Sequence, residues 1–456
     1  MPTALVTPLV APAISLRAIA PVLILSVTAL LLLVVDLLPP RDRKEHLGVI
    51  GLVGVVASLV VSLLYWGADE RSFRGMVVLD GFAIFFNLVI GFSVGLVLLL
   101  SLDYVRRQGV ESGEFYILVL LSAIGMTLMA SAGDLIMVFL GLETMSLALY
   151  VLAGTFKSRI ESAEASMKYF LLGAFASGFF LYGIALIFGA AGSTNLDRIG
   201  LALASGAGSD PLLLVGFGLL VVGFGFKISS VPFHMWASDV YQGAPTSITT
   251  LIATGSKAAA FAALLRVLLS ALRPAQDEWA MLLWGLAVLS MTVGNVVAIA
   301  QQNVKRMLAY SSIAHVGYIL VGMVAGGPLG NASVLFYLLV YTFTTVGSFG
   351  VLLLLERNGK EAVDVSDLSG LASRHPLMAL VLTIFLLSLV GIPPTAGFVG
   401  KFYLFGAAVR AGYVGLAIIG VLNSAAAAYY YLRIVVYMYM RDPEGVPTEG
   451  MPWLGG

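Results

Sequence analysis

The chain has 456 residues, 59% of them hydrophobic and only 11% charged. Soluble domains carry roughly a quarter of their residues as charges, so the composition excludes a water-soluble fold and defines an integral membrane protein. Lysine plus arginine equals aspartate plus glutamate at 25 each, which gives no pointer to nucleic acid or to an acidic partner, and the lack of cysteine excludes disulfides, thiolate metal sites and cysteine-held iron–sulfur clusters in this chain.

A helical crossing takes about 20 apolar residues. Such runs lie near 15–37, 46–66, 78–101, 114–131, 134–156, 163–190, 211–230, 245–271, 279–300, 305–326, 330–356, 375–410 and 412–440. They predict an all-α, polytopic transmembrane bundle of about 13 spans, because membrane strands would alternate polar and apolar residues and these runs do not. The opening MPTALVTPLV lacks the basic start of a cleavable signal, so the first run is expected to be a permanent span. Connections after odd-numbered spans carry Arg41, Arg43, Lys44, Arg106, Arg107, Lys157, Arg159, Lys305, Arg306, Arg357, Lys360, Arg374 and Arg441; those after even-numbered spans carry only Arg71, Arg74, Arg198, Arg273 and Arg410. Basic loops face the cytoplasm, which places the N-terminus outside. No glycine-rich phosphate loop lies between a strand and a helix.

Spans 4–8 and 9–13 form two blocks of five, and an odd block length inverts the second block relative to the first. This divides the chain into a three-span segment (1–105), a first repeat (106–272), a second repeat (273–441) and a tail (442–456). The fourth member of each block is interrupted, by "FKISSVPFH" in one and "LVGIPPTAGFVGKFYLF" in the other. Proline removes a backbone donor and frees carbonyls, which membranes tolerate only where protein or a wet cavity surrounds them.

Five ionisable residues are singled out as lying well inside spans: Glu143, Lys168, Lys227, Lys257 and Lys401. A charge at mid-bilayer costs about 2.5–3.5 kcal/mol even on lenient scales. Lys168, two turns into its run, has the alternative of snorkelling to the interface; Lys257 and Lys401 are too central for that. One carboxylate and several lysines suit proton transfer better than substrate binding, since burial destabilises the charged form of both groups. His234 follows the first break and His315 lies in "YSSIAHVGYIL"; each also fits a hydrogen-bonded structural role, and neither has a second metal ligand at i+3 or i+4. His46 and His375 sit at boundaries and take no role. Tyr429, Tyr430 and Tyr431 read as packing or interface residues.

The strings "GFGFKISSVPFHMWASDVYQGAPT", "QQNVKRMLAYSSIAHVGYILVG" and "GIPPTAGFVGKFYLF" resemble, in order, the antiporter-like membrane subunits of respiratory complex I, the proton-pumping NADH:quinone oxidoreductase. The resemblance runs over about residues 75–440. Within it, Lys401 stands where subunit M has glutamate, and the sequence stops without the lateral helix that extends subunit L or the fourteenth span of the family. The resemblance implies that Glu143 and Lys227 are the span-5 and span-7 charges of a proton path, that Lys168, Lys257 and Lys401 continue it, and that His234 and His315 relay protons or order water. It also implies no cofactor in this chain. Quinone, NADH, FMN and iron–sulfur clusters would belong to partner subunits, and subunit M with the small membrane subunits would be its neighbours. A multi-subunit cation/proton antiporter, which shares the fold, is the alternative; a purely structural spacer is a third reading.

Overall fold

The computed structural model describes residues 14–38, 44–109, 113–205, 211–355, 361 and 363–443. Arg41, Arg43, Arg357, Lys360 and the tail from 444 onward lie outside the described residues.

Helices α1 (Leu16–Asp36), α2 (Glu45–Leu64) and α3 (Gly81–Arg107) form the N-terminal segment. Next come α4 (Gly113–Ala130), α5 (Leu135–Ala153), α6 (Ile160–Ala191), the short α7 (Leu196–Ala204), α8 (Pro211–Ile228) and α9 (Met235–Gly243). The eighth crossing, Thr246–Ala271, is made of α10 (Thr246–Leu251) and α11 (Lys257–Arg266), with π turns at Ile252–Ser256 and Val267–Ala271. The last part holds α12 (Gln276–Ala300), α13 (Val304–Ala325), α14 (Gly327–Leu354), α15 (Leu371–Arg374), α16 (Pro376–Val390), α17 (Ala396–Arg410) and α18 (Val414–Met440).

Among the described residues 12 helices are long and apolar enough to cross a membrane, and the thirteenth expected crossing is the broken pair α16–α17. The structure adds what hydropathy did not predict: a hairpin of β1 (Glu70–Ser72) and β2 (Val77–Leu79), and α7, which seats Leu196, Ile199 and Leu203 against the end of the eighth crossing. Both are too short to register in a window sized for a membrane span.

Burial identifies the centre. The eighth crossing and α13 are each 94% buried within the protein, against 33% for α1, α6 and α18, whose outer faces are left to lipid. Packing recurs in the same order along the chain. Helix α4 packs on α5, α5 on α6, and α6 on both halves of the first broken crossing; α12 packs on α13, α13 on α14, and α14 on both halves of the second. The eighth crossing then returns to α4, as α18 returns to α12.

Lipid supplies no hydrophobic drive between helices, so close backbone approach does the work. Gly125 of α4 and Gly141 of α5 face each other: a Cβ at Gly125 would stand 2.4 Å from the Met145 nitrogen and 2.5 Å from the Gly141 oxygen. Gly125→Leu is expected to cost about 1–3 kcal/mol by overpacking and to lower the melting midpoint of the detergent-solubilised protein. Gly189→Ala, whose added Cβ meets nothing within 4 Å, should leave that midpoint in place.

Candidate functional site

The two broken crossings place their lysines differently. Helix α8 ends at Ile228, Ser229 turns through a positive φ of 63°, and a cis bond precedes Pro232. The carbonyls that the break frees are taken at once: Gly225 accepts from the Ser230 amide at 2.8 Å, and Phe226 accepts from the Ser229 amide at 3.1 Å and the Trp236 indole at 2.9 Å. Lys227, 2% exposed, therefore does not use them. Its ammonium donates to the Tyr169 hydroxyl at 3.4 Å and lies 5.0 and 5.3 Å from the ring centres of Tyr169 and Tyr150, where the π faces attract a cation. Glu143 accepts a short hydrogen bond from Ser177 instead of meeting the lysine. A narrow cleft lined by Gly173, Ser177, Gly223 and Lys227 joins that serine to the lysine.

In the second broken crossing the freed carbonyls do serve the charge. Gly391, at φ 86°, closes α16, and Lys401 from α17 donates to the Leu389 and Val390 carbonyls at 3.0 and 2.7 Å and to Ser424 Oγ at 2.7 Å. Three acceptors match the three N–H groups of an ammonium, at the negative end of a helix dipole. The amine also lies 4.5 Å from the Tyr318 ring centre. No residue but glycine fits at 397, where a Cβ would stand 1.7 Å from the Ser388 oxygen.

Between the two lies Lys257, 1% exposed, directly after the π turn. It donates a short hydrogen bond to Ser312 of α13, and Ser312 shares one with the Tyr341 hydroxyl at 2.6 Å. His315, one turn on, hydrogen bonds with Tyr337 through Nδ1 at 2.7 Å and with Tyr431 through Nε2 at 3.1 Å; Tyr431 in turn bonds Ser311. The His315 and Tyr341 rings are 5.3 Å apart. On the Lys227 side, Tyr169 faces Ser256, the residue before Lys257. Lys227, Lys257, His315 and Lys401 thus form a row of buried groups, each with a hydroxyl beside it, and the Tyr318 ring lies 5.5 Å from the His315 ring and 4.5 Å from the Lys401 amine. A reading of the sequence by charge alone does not reveal the tyrosines. Tyr337 and Tyr341 at i and i+4 mark one face of α14 and were the available signal. Tyr431 and Tyr430, read as packing, are fully buried and polar in role, since Tyr430 donates to Asn295 at 2.9 Å; Tyr429 is the exposed one.

Lys168 and His234 stand apart from the row. The Lys168 side chain is 41% exposed and pairs with Glu164 and Asp239, each at 2.6 Å, and Asp239 pairs in turn with Arg306 at 2.7 Å. His234 precedes α9, half-buried, and its Nδ1 meets no partner among the described residues. Lys305 and Glu361 form a second pair, at 3.1 Å, that span counting did not reveal. Among the described residues no group of three or more histidine, cysteine, aspartate or glutamate side chains could hold a metal.

Fold and row together define a polytopic membrane protein with titratable amines threaded through its middle. The chain belongs to the family described as NADH:quinone oxidoreductase/Mrp antiporter, TM, whose model matches residues 132–426, and within it to the subunit N branch. A protein of Trichlorobacter lovleyi named NADH-quinone oxidoreductase subunit N is 51% identical over 94% of this chain and 89% of its own. A chain of the respiratory complex I of Thermus thermophilus superposes with a TM-score of 0.81 at 40% identity, covering 95% of this chain and 93% of that one. A chain of the Mrp complex of Dietzia has a TM-score of 0.82 at 23% identity over 96% of this chain and 82% of that one, a likeness of fold.

Lys168 and Arg306 hold the Asp239 carboxylate from two helices, at 2.6 and 2.7 Å. The carboxylate infrared band of Asp239, isolated as the difference from Asp239→Asn, is expected to shift in frequency in Lys168→Met, which removes one of its two cations; an unmoved band would show that the pair is not formed.

Proposed function

We propose that this chain is a proton-translocating membrane subunit of an NADH:quinone oxidoreductase and that Lys227, Lys257 and Lys401, with His315, carry the protons. The single observation behind this reading is the row itself: three lysines, none more than 4% exposed, each donate to a hydroxyl within the protein. A merely structural bundle gains nothing from three buried amines, since apolar residues of the same volume cost less.

Each amine exchanges protons through the hydroxyl beside it: Tyr169 at Lys227, Ser312 with Tyr341 at Lys257. His315 lies between Lys257 and Lys401, with a tyrosine hydroxyl on each ring nitrogen, so proton loss from one can accompany proton gain at the other. The row is asymmetric. Lys227 has one hydroxyl and three aromatic rings, whereas Lys401 has three acceptors matched to an ammonium. Glu143, held by Ser177 across the cleft, biases Lys227 by its charge, and a change in that charge is how a neighbouring subunit would act on the row.

The recurring packing order supports two inverted repeats, 106–272 and 273–441, each with one broken crossing. The basic connections support an N-terminus outside and the Lys168–Asp239–Arg306 cluster on the cytoplasmic side. There Lys168 collects protons at the surface instead of standing in the row, and His234 orders water at the break. Electron donor, FMN, iron–sulfur clusters and quinone reside in partner subunits. The string PPTAGFVGKFYLF and the subunit N relatives favour this reading over a cation/proton antiporter.

In inverted membrane vesicles carrying the assembled complex, Lys227→Ala, Lys257→Met and Lys401→Met are each expected to reduce NADH-driven proton uptake at least tenfold, a barrier change of about 1.4 kcal/mol or more. Glu143→Gln should reduce it as well. Normal uptake by fully assembled variants would refute the assigned roles.

A further inference from the structure

The first turn of α13 carries two adjacent cations, Lys305 and Arg306, that point to different partners on one segment. Lys305, 1% exposed, donates to the Ala244 carbonyl at 2.8 Å and to Glu361 at 3.1 Å. Glu361 in turn accepts from the Thr246 amide at 3.2 Å, from the Thr246 hydroxyl at 2.8 Å and, in a short bond, from Tyr104 at the end of α3. Arg306 donates to Asp239 at 2.7 Å, to Gln242 at 2.9 Å and to Ser238 at 3.4 Å. Residues 238–242 belong to α9, the second half of the first broken crossing, and residues 244–246 are the joint that leads into the eighth crossing. The two cations therefore hold that joint from both sides. Further along α13, Ser312 lies seven residues after Lys305, two turns on and on the same face, and it is the acceptor of Lys257.

We propose that Lys305 and Arg306 are positioning residues that lock the α9–α10 joint to α13 and so fix the reach from Lys257 to Ser312. The inference rests on the reading of Lys257 as a proton carrier. Two carboxylates complete the lock, Asp239 on α9 and Glu361 in the connection after α14; Lys168 and Glu164 face the same cluster from α6, and Arg159 is the further cation whose charge reaches Lys305. Lys257 follows the π turn at Ile252–Ser256, an interruption of the regular α-helical ladder between the joint and the amine, so the anchor at the start of that crossing bears on where the amine sits.

The test uses the assembled complex in vesicles, with two readouts: proton uptake per electron, and hydrogen exchange of the segment 237–250. Arg306→Gln and Lys305→Met are expected to speed exchange of that segment at least tenfold and to lower the proton-to-electron ratio at least twofold, while Arg306→Lys restores most of both. Should either variant fail to assemble, Gln242→Leu, which trims one contact of Arg306, is expected to give a smaller change in both readouts. Loss of pumping with unchanged exchange would mean that the cations act as carriers and would overturn the proposal. Faster exchange with a normal ratio would overturn it equally. Normal pumping by Lys227→Ala would instead strike at the proton row, and the exchange result would still report on the lock.

Discussion

An ammonium group in the middle of a membrane has to find oxygen atoms or π electrons within its own protein, and this requirement shapes the centre of the bundle. The eighth crossing and α13 are almost wholly enclosed, and they carry Lys257, Ser312 and His315. Around them, side chains that are polar at one end and apolar along their length supply the acceptors: Tyr169, Tyr241, Tyr337, Tyr341 and Tyr431 bury their rings and turn hydroxyls toward the charges. Tyrosine suits this task because its ring packs as a hydrophobe while its hydroxyl both donates and accepts. A wholly apolar centre would be more stable and could carry nothing.

The broken crossings show two uses of one backbone device. A helix interrupted in oil leaves carbonyls without donors, and these must be satisfied. In the second break a lysine satisfies them, so the charge and the orphan carbonyls settle each other. In the first break two serine amides and the Trp236 indole do so, which leaves Lys227 with a hydroxyl and aromatic faces. Similar sequence signs, a proline and a nearby lysine, thus lead to different electrostatic environments, because the lysine follows the break in one case and precedes it in the other.

Charge pairing is confined to the edges. Arg266 forks onto both oxygens of Asp80 at one end of the eighth crossing, while Lys305 and Glu361 pair at its other end. Between those clamps no ion pair within 4 Å joins the row's lysines to a carboxylate among the described residues. A tight pair in the middle would hold its lysine charged and stop proton exchange, whereas pairs at the ends fix the crossing in place. The eighth crossing is therefore anchored by ion pairs at its ends, and between them Lys257 meets a hydroxyl.

Hydropathy alone determined the crossings, because burying a backbone in lipid demands long apolar helices and permits little else. Proline and glycine determined the breaks, and the motifs around Lys227, His315 and Lys401 determined the family. The hairpin before α3, the short α7 and the π turns left no mark, being shorter than the period that a sequence window detects. Only the tertiary structure decided which charges share a site. It moved Lys168 to an exposed cluster with Asp239, parted Glu143 from Lys227 by a serine, and brought Tyr431 to His315 from more than a hundred residues away. The physical reason is that insertion into oil is read one helix at a time, whereas a proton path depends on distances of about 3 Å between helices, and those are set by packing that local sequence does not encode.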